Sequence, residues 1–522
     1  MRFTKNIVTF AVAFACSNAA FAGTDTFFNP LTASSAVATP NHINEQNGPW
    51  VAPAGIAQQN LTSLSEIEAD VSQSVGRAAN LGTGASMFDM IAFDPEGEYL
   101  FIPHESRWGA GVTRYDIAND RAQLLFSGDG QGEFGDYSND YGAFDPARFT
   151  PNGTVFLAEE WAGEGRVIEV MNPYADPADI EYRELESIAN VAHEGIIFSN
   201  KFEDTIYFID ENNSGSIYKF VMKNKGDYTV GQTFVLSIDS FADMGGDAAA
   251  NWNSGTNQDI RTGAATWVAM TDEVGNVLPG ITNPFAAGAE NGRQAADDAN
   301  GTPYGRPEDT EVGTLRNGNE ALYVAATSER TVYSIEMTGT DTAMVRVFAS
   351  DADTPKNLGF PSTTGVINSP DNLAQDALGN IYIIEDAPNS SDVGGDIWFV
   401  RDTDSDGVAE SVDHFLSLQV AGAEATGMIF NPAKPTQFVV SVQHPTSTDL
   451  NVVANGYGDA VWSFDLSNVV PPSCEKKAHR GSWVRTCSHD NDFNFIKALE
   501  RAADDDRRHR HGKKHWGWGW HR

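Results

Sequence analysis

The fold reads from Gly305-Arg306-Pro307-Glu308-Asp309 and the apolar run that follows it, Ala321-Leu322-Tyr323-Val324-Ala325-Ala326. The first piece sets a guanidinium and two carboxylates around a rigid proline, and the second has the composition of a strand. An acidic turn feeding an apolar strand is ordinary once. Here it recurs, and a recurring unit signals a repeat architecture. Phe88-Asp89 leads through the turn Asp94-Pro95-Glu96-Gly97 to Tyr99-Leu100-Phe101-Ile102 and ends in His104-Glu105. Phe144-Asp145 leads through Pro151-Asn152-Gly153 to Val155-Phe156-Leu157-Ala158 and Glu159-Glu160. His193-Glu194 leads to Ile206-Tyr207-Phe208-Ile209 and Asp210-Glu211. Pro370-Asp371-Asn372 leads to Ile381-Tyr382-Ile383-Ile384 and Glu385-Asp386, and Ala423-Glu424 to Phe438-Val439-Val440 and Gln443-His444.

The turn positions Gly97, Gly153, Asp204, Glu320, Gly379 and Thr436 are spaced by 56, 51, 116, 59 and 57 residues. A strand-built repeat of about 40–50 residues suggests a β-propeller, and the longer period here leaves room for loops. The expectation is an all-β chain with six blades. The doubled gap, residues 222–303, holds an insertion or a further blade. Its run Ala264–Ala269 reads as a strand and the rest as loop, with a lid over the channel or a plain surface insertion as the two readings.

Equivalent positions in a propeller converge on one channel, which brings Glu105, Glu159, Glu194, Glu308, Asp371 and Glu424 together. A single acid at a turn ordinarily caps that turn. A ring of them repels itself unless cations lie between, and oxygen ligands of this kind suit Ca²⁺.

At these motifs the chain resembles the PhoX-type alkaline phosphatases, secreted bacterial propellers. The resemblance is carried by His104-Glu105, Gly153-Thr154 leading to Glu159-Glu160, His193-Glu194, Tyr218-Lys219-Phe220-Val221, Arg306-Pro307-Glu308-Asp309, Pro370-Asp371-Asn372-Leu373, Gly422-Ala423-Glu424 with Thr426-Gly427, and Gln443-His444-Pro445. It spans residues 88–445. In that family the channel holds an iron and calcium cluster, and phosphomonoester hydrolysis requires calcium. The resemblance implies that Glu194 and Glu308 are metal ligands and that Arg306 holds the substrate phosphate. It implies calcium roles for Glu105, Glu159, Asp371, Asn372 and Glu424. The family's Gly-Thr strand ends in an iron-binding cysteine where this chain has Ala158. A methyl group ligates nothing, and a thiolate is what favours iron over calcium. Calcium is therefore expected in the channel and iron is in doubt. His193 and His444 both have the intrinsic pKa of a general acid. The sequence does not select between them, and His193 is carried as the candidate.

Residues 1–22 read as a Sec-type signal peptide: Arg2 and Lys5, the apolar Ile7–Ala15, then Ala20-Phe21-Ala22. A periplasmic or extracellular address follows, and no other run is long and apolar enough to span a membrane. Residues 23–80 read as an irregular lead that wraps the propeller, 81–470 as the phosphatase-like domain. The formal net charge of −38 disfavours nucleic acid and anionic membranes as partners.

Asp402, Asp404, Asp406, Glu410 and Asp413 follow the order of an EF-hand loop, with Asp in place of the final Glu, and read as a second, structural calcium site. The basic tail, residues 471–522, holds Cys474 and Cys487, expected to form a disulfide in an oxidising compartment. Its Arg-, His- and Trp-rich end suits a transition metal, an acidic polymer or the cell envelope, or is a bare appendage. The function expected is a monomeric secreted phosphomonoester hydrolase acting on a small phosphate ester. A calcium-dependent propeller lactonase or esterase and a non-catalytic calcium-stabilised binding propeller are the other readings.

Overall fold

The computed structural model describes residues 26–37, 44–73, 75, 87–161, 165–242, 252, 257–286, 291–445, 456–469, 476–479 and 482–485. The signal segment, Cys474, Cys487 and residues 486–522 lie outside the described residues. No helix among those described is long and apolar enough to cross a membrane.

Nearly all regular structure is antiparallel sheet, as the strand-rich repeat predicts. Six four-stranded meanders can be traced. The first comprises Ala92–Phe93, Tyr99–Pro103, Gly111–Asp116 and Arg121–Ser127; the second Phe144–Phe149, Val155–Glu159, Val167–Val170 and Tyr182–Glu184. The third comprises Ile196–Phe198, Thr205–Ile209, Ile217–Met222 and Gly231–Ile238; the fourth Pro307–Thr314, Glu320–Ala326, Thr331–Met337 and Thr342–Ser350. The fifth comprises Pro370–Gln375, Ile381–Glu385, Asp396–Arg401 and Ser411–Leu418. The sixth takes Glu424–Phe430, Gln437–Gln443 and Ala460–Asp465 from one end of the chain and Ala57–Ser63 from the other.

What holds the ring is apolar burial between neighbouring meanders. Phe101, Phe144 and Leu157 fill the space between the first and second, and Phe208, Tyr218 and Ala158 that between the second and third. Tyr207, Leu322 and Tyr333 join third to fourth, Tyr323, Phe348 and Trp398 fourth to fifth, and Tyr382, Phe415 and Phe438 fifth to sixth. Phe88, Leu100, Val439 and Val461 join first to sixth, so the ring closes on itself.

The first strand of each meander lies innermost, and polar contacts stitch these strands to one another. Ala147 N donates to Met90 O (2.9 Å), Arg148 Nε to Ile196 O (3.1 Å), Leu373 N to Asp309 Oδ2 (3.0 Å), and Gly427 N to Asn372 Oδ1 (2.7 Å). Thr426 Oγ1 reaches Asp89 and so ties the sixth to the first. Beneath, Met90, Ala147, Arg148, Asp309, Asn372 and Gly427 are among the residues that line a cavity of about 90 Å³ in the channel.

Two expectations change. The lead is not irregular throughout. Phe27 and Phe28 pack on Phe399, Phe28 also on Phe415, and Trp50–Val51 pairs with the last strand of the fifth meander. Ala57–Ser63 then completes the sixth, and helix Leu64–Val71 follows with Ser63 as its N-cap, accepting from Glu66 N at 3.4 Å. Ser63-x-x-Glu66 is a capping-box pattern legible in the sequence. The strand before it was not, because an edge strand paired on one side tolerates Gln-Gln-Asn. The insertion also begins later than residue 222: Gly231–Ile238 is the fourth strand of the third meander, and the added segment follows it. Gly263–Ala269 is a strand as expected. It pairs with Gly231–Ile238 and with Thr342–Ser350, fusing the edges of the third and fourth meanders into one nine-stranded sheet.

A chain starting at Leu64 lacks the strand that joins the termini and bares the edge of Ala460–Asp465. We expect it to lose cooperative unfolding by circular dichroism and to aggregate on size-exclusion chromatography, where a chain that keeps Ala57–Ser63 elutes as a single species.

Candidate metal and phosphate site

Strand alternation builds the site. Successive side chains point to opposite faces, so the polar pairs that end the second strands split. The first member stays in the blade. Glu159 accepts from Arg166 Nε (2.6 Å), Arg166 Nη2 (2.7 Å) and Gly142 N (3.0 Å). Asp210 is held by Arg293 at 2.6 and 2.8 Å, and Glu385 by Trp398 Nε1 and Asp396 N, both at 2.9 Å. His104 bonds Thr113 Oγ1 at 3.0 Å and lies against Phe88, and burial draws its pKa down to about 3. The second members, Glu105, Glu160, Glu211, Asp386 and His444, meet the acids at the heads of the innermost strands: Asp89, Asp145, Glu194, Glu308, Asp371 and Glu424. Gln443 breaks the rule and donates from Nε2 to Asp89 (2.8 Å) and Glu105 (2.7 Å).

Glu194 stands at the centre. Glu194, Glu308 and Asp371 each offer an oxygen within 4.8 Å of the others, and so do Glu160, Glu194 and Glu211. Both carboxylate oxygens of Glu308 and of Asp145, and Oδ1 of Asp371, are buried without a hydrogen-bond partner. Burial first, then neighbouring carboxylates, pushes Glu105, Asp145, Glu160, Glu194 and Asp386 well above the usual carboxylate range. Burial likewise raises Asp371, and it takes Glu308 to about 7. Unpaired, buried, crowded carboxylate oxygens are the donor set of a hard cation.

Two cations touch this group. Arg306 sends Nε to Glu211 Oε1 at 2.5 Å and lies 3.1 Å from Glu308 Oε1, the latter an ion-pair contact out of line for a hydrogen bond. His444 puts Nε2 2.9 Å from Glu424 Oε2 and Nδ1 3.0 Å from Gly422 O. With acceptors at both nitrogens the ring is an imidazolium. Burial opposes that charge, but Glu424 outweighs it and raises the pKa to about 9. Arg306 and His444 both have positive φ, +54° and +29°, a strained backbone region that clusters at functional sites. Gly305 lacks a Cβ where one would come within 2.8 Å of the Trp252 indole, so the insertion reaches the residue beside Arg306.

The expected set is corrected at several points. Glu159 belongs to Arg166; the acid that faces the cluster is Glu160. Asn372 spends Oδ1 on Gly427 N and Thr426 Oγ1, which leaves only its Nδ2 unpartnered, and an amide nitrogen does not ligate calcium. His193 donates Nε2–H to Ala189 O (3.0 Å) beside Phe208, and burial lowers its pKa to about 3, so the ring stays neutral with its one N–H committed to the backbone. Ala158 is fully buried in an apolar cluster with Val167 and Val191. Glu424 pairs with His444 and sits outside both carboxylate trios. Glu160, Glu211, Asp386, Asp89 and Asp145 were missed as ligand candidates. The doubled acids Glu159-Glu160 and Asp210-Glu211, combined with strand alternation, carried the signal.

In the acidic loop, Asp402, Asp404 and Glu410 lie together, with Asp404 and Asp406 beside Arg316. Asp413 is not its twelfth-position ligand. It sits buried in the strand Ser411–Leu418, paired with Arg401 at 3.0 Å and with Thr26.

A closed propeller with crowded carboxylates and an arginine at one mouth is a site chemically fit to hold metal ions beside an anion. The chain belongs to the PhoX alkaline phosphatase family, metal-dependent phosphomonoester hydrolases: the family described as "Alkaline phosphatase PhoX" matches residues 106–446. Among solved structures it is similar to Pseudomonas fluorescens PhoX in complex with vanadate, a transition state analogue, with a TM-score of 0.56 and 16% identity over 84% of this chain and 98% of that one. That likeness extends the shared fold. A protein of unknown function from Bacteroides thetaiotaomicron gives a TM-score of 0.40 at 12% identity over 78% of this chain and 76% of that one. A gluconolactonase from Xanthomonas campestris gives 0.36 at 10% identity, over 80% and 97%. No curated protein matches.

Three outcomes test this electrostatics. Arg166→Met leaves Glu159 buried without a counter-charge and should cost about 3–5 kcal/mol in urea unfolding, whereas Glu160→Gln removes a repelling charge and should stabilise chelator-treated protein. In chelator, the melting temperature should fall as pH rises from about 5 to 8. Glu308, raised from 4.5 to about 7, contributes stability below its ordinary pKa and loses it on ionising; added calcium should flatten that slope.

Proposed function

We propose that this chain is an exported phosphomonoesterase whose channel acids hold calcium, with Glu194 shared between two cation positions. One is formed with Glu308 and Asp371, the other with Glu160 and Glu211. The observation that carries the reading is the set of buried oxygens on Glu308, Asp145 and Asp371 that have no hydrogen-bond partner. Oxygen is the only donor type they offer, and Ala158 supplies no thiolate, which favours calcium over iron. Bound cations of this kind offset charge on the phosphate and activate a nucleophile.

The chain's own residues do the rest. Arg306 is anchored through Nε by Glu211 and Glu308, which leaves its two Nη groups to grip phosphate oxygens as a fork. It is about one-third exposed, so substrate enters from the mouth. The same arginine offsets the repulsion that a chain of net charge −38 imposes on an anionic ester. His444, held as an imidazolium by Glu424 and Gly422 O, is the proton donor to the departing alkoxide. Its raised pKa keeps the proton in place into the alkaline range, which suits an alkaline phosphatase.

The test is hydrolysis of p-nitrophenyl phosphate by purified protein. Activity should vanish in chelator and return with calcium. Arg306→Ala should lower kcat/KM by a hundredfold or so, about 2–3 kcal/mol, and His444→Gln should lower kcat with little change in KM. Activity that survives both chelation and Glu308→Ala, or hydrolysis of lactones with none of phosphates, would reject the reading.

A further inference from the structure

The strand ends that carry Glu105 and Glu160 also carry a group of rings that the phosphate chemistry does not use. Arg107 and Trp108 follow Glu105 closely at the end of the second strand of the first meander, and Trp161 follows Glu160 directly in the second. The loop between these meanders adds Phe134 and Tyr137. Ring centroids lie 5.3 Å apart for Trp108–Trp161, 5.7 Å for Trp108–Tyr137 and 5.4 Å for Tyr137–Trp161. The Arg107 guanidinium sits 5.1 Å from the Trp108 ring.

The cluster is built. Buried Asp140 accepts Gly109 N (2.8 Å) and Gly130 N (3.0 Å) on Oδ1 and Gly132 N (2.8 Å) on Oδ2, which binds the loop to the Trp108 segment. Gly142 donates to Glu159, and a Cβ there would meet Trp161 at 1.8 Å, so the indole lies flush against backbone.

Ordinary packing does not explain it. Trp108, Tyr137 and Trp161 belong to none of the six apolar cores between meanders. Tyr137 is 38% and Phe134 76% exposed, and the Trp108 Nε1–H is buried without a partner. Along the chain the rings adjoin the acids of the cluster. Trp161 adjoins Glu160, whose oxygen lies within 4.8 Å of one on Glu211, and Glu211 holds Arg306.

We propose that Trp108, Tyr137 and Trp161, with Arg107, form a stacking subsite for the planar organic group of the ester whose phosphate Arg306 holds. The favoured substrates are then monophosphates bearing a nucleobase or aryl ring. A π face is recognised by edge and face contacts with aromatic rings and by a neighbouring guanidinium. The proposal rests on the phosphatase reading of the Arg306 site.

Adenosine 5′-monophosphate and ribose 5-phosphate test it, because both lose the same primary alkoxide and differ only in the base. Wild type should prefer the nucleotide in kcat/KM. Trp108→Ala/Trp161→Ala should shrink that preference about tenfold, through KM, the loss expected for one stacked base. Tyr137→Ala, on a more exposed ring, should shrink it several-fold without disturbing the fold by circular dichroism, and Trp161→Phe should retain most of it. Equal use of both esters by wild type, a preference unchanged in the variants, or an equal loss on both esters would overturn the subsite and leave the phosphatase standing. Wild type inert toward both esters and toward p-nitrophenyl phosphate would overturn the phosphatase reading and the subsite with it.

Discussion

Mutual repulsion among carboxylates governs this molecule. Closing the ring of meanders forces Asp89, Asp145, Glu194, Glu308, Asp371 and Glu424 onto one axis, and strand alternation adds Glu105, Glu160, Glu211 and Asp386 from just behind them. Burial strips away the water that would screen them. Arg306 and His444 together cannot balance that charge, so the channel is stable with cations in it or with several carboxyls protonated. The apolar wedges between meanders hold the acids at these distances. The site is a load that the hydrophobic core carries.

The distinction between blade and channel acids follows from the same geometry. Glu159, Asp210 and Glu385 are as buried as the ligand candidates, yet each has its own donor away from the cluster: Arg166 for Glu159, the Trp398 indole with a backbone N–H for Glu385, and Arg293 of the inserted segment for Asp210. Of their neighbours one residue on, Glu211 meets only Arg306 from another meander, and Glu160 and Asp386 face other carboxylates. One step along a strand turns a structural ion pair into a member of the repelling group. Reading Glu159 as the ligand in place of Glu160 is the error that a sequence invites, because two adjacent glutamates look alike until the face each one occupies is known.

The two basic residues at the mouth share a further trait. Arg306 and His444 sit in strained backbone conformations, each just beside a proline and just outside a strand, where chain direction is set by the blade rather than by local preference. Both are held by carboxylates on one side and reach solvent on the other. That arrangement fixes each charge in an acidic field, with both ring nitrogens of His444 engaged and the fork of Arg306 left free for a phosphate.

Much of this was legible in the amino-acid order. The repeat of acid, apolar strand and turn gave the propeller, because strand composition and period are local properties. The convergence of Glu194, Glu308 and Asp371 followed from equivalence of position. The rest needed three dimensions. That Ala57–Ser63 closes the ring depends on a pairing partner some 400 residues away in the chain. That His193 is a neutral packing residue while His444 is an imidazolium depends on what faces each ring, Ala189 O and Phe208 in one case and Glu424 in the other. That Asp413 leaves its loop depends on Arg401 and on Thr26 from the N-terminal lead. Sequence alone settled which residues repeat, since repetition is written along the chain; tertiary structure alone decided which of them lack a partner, since a partner is a matter of distance through space.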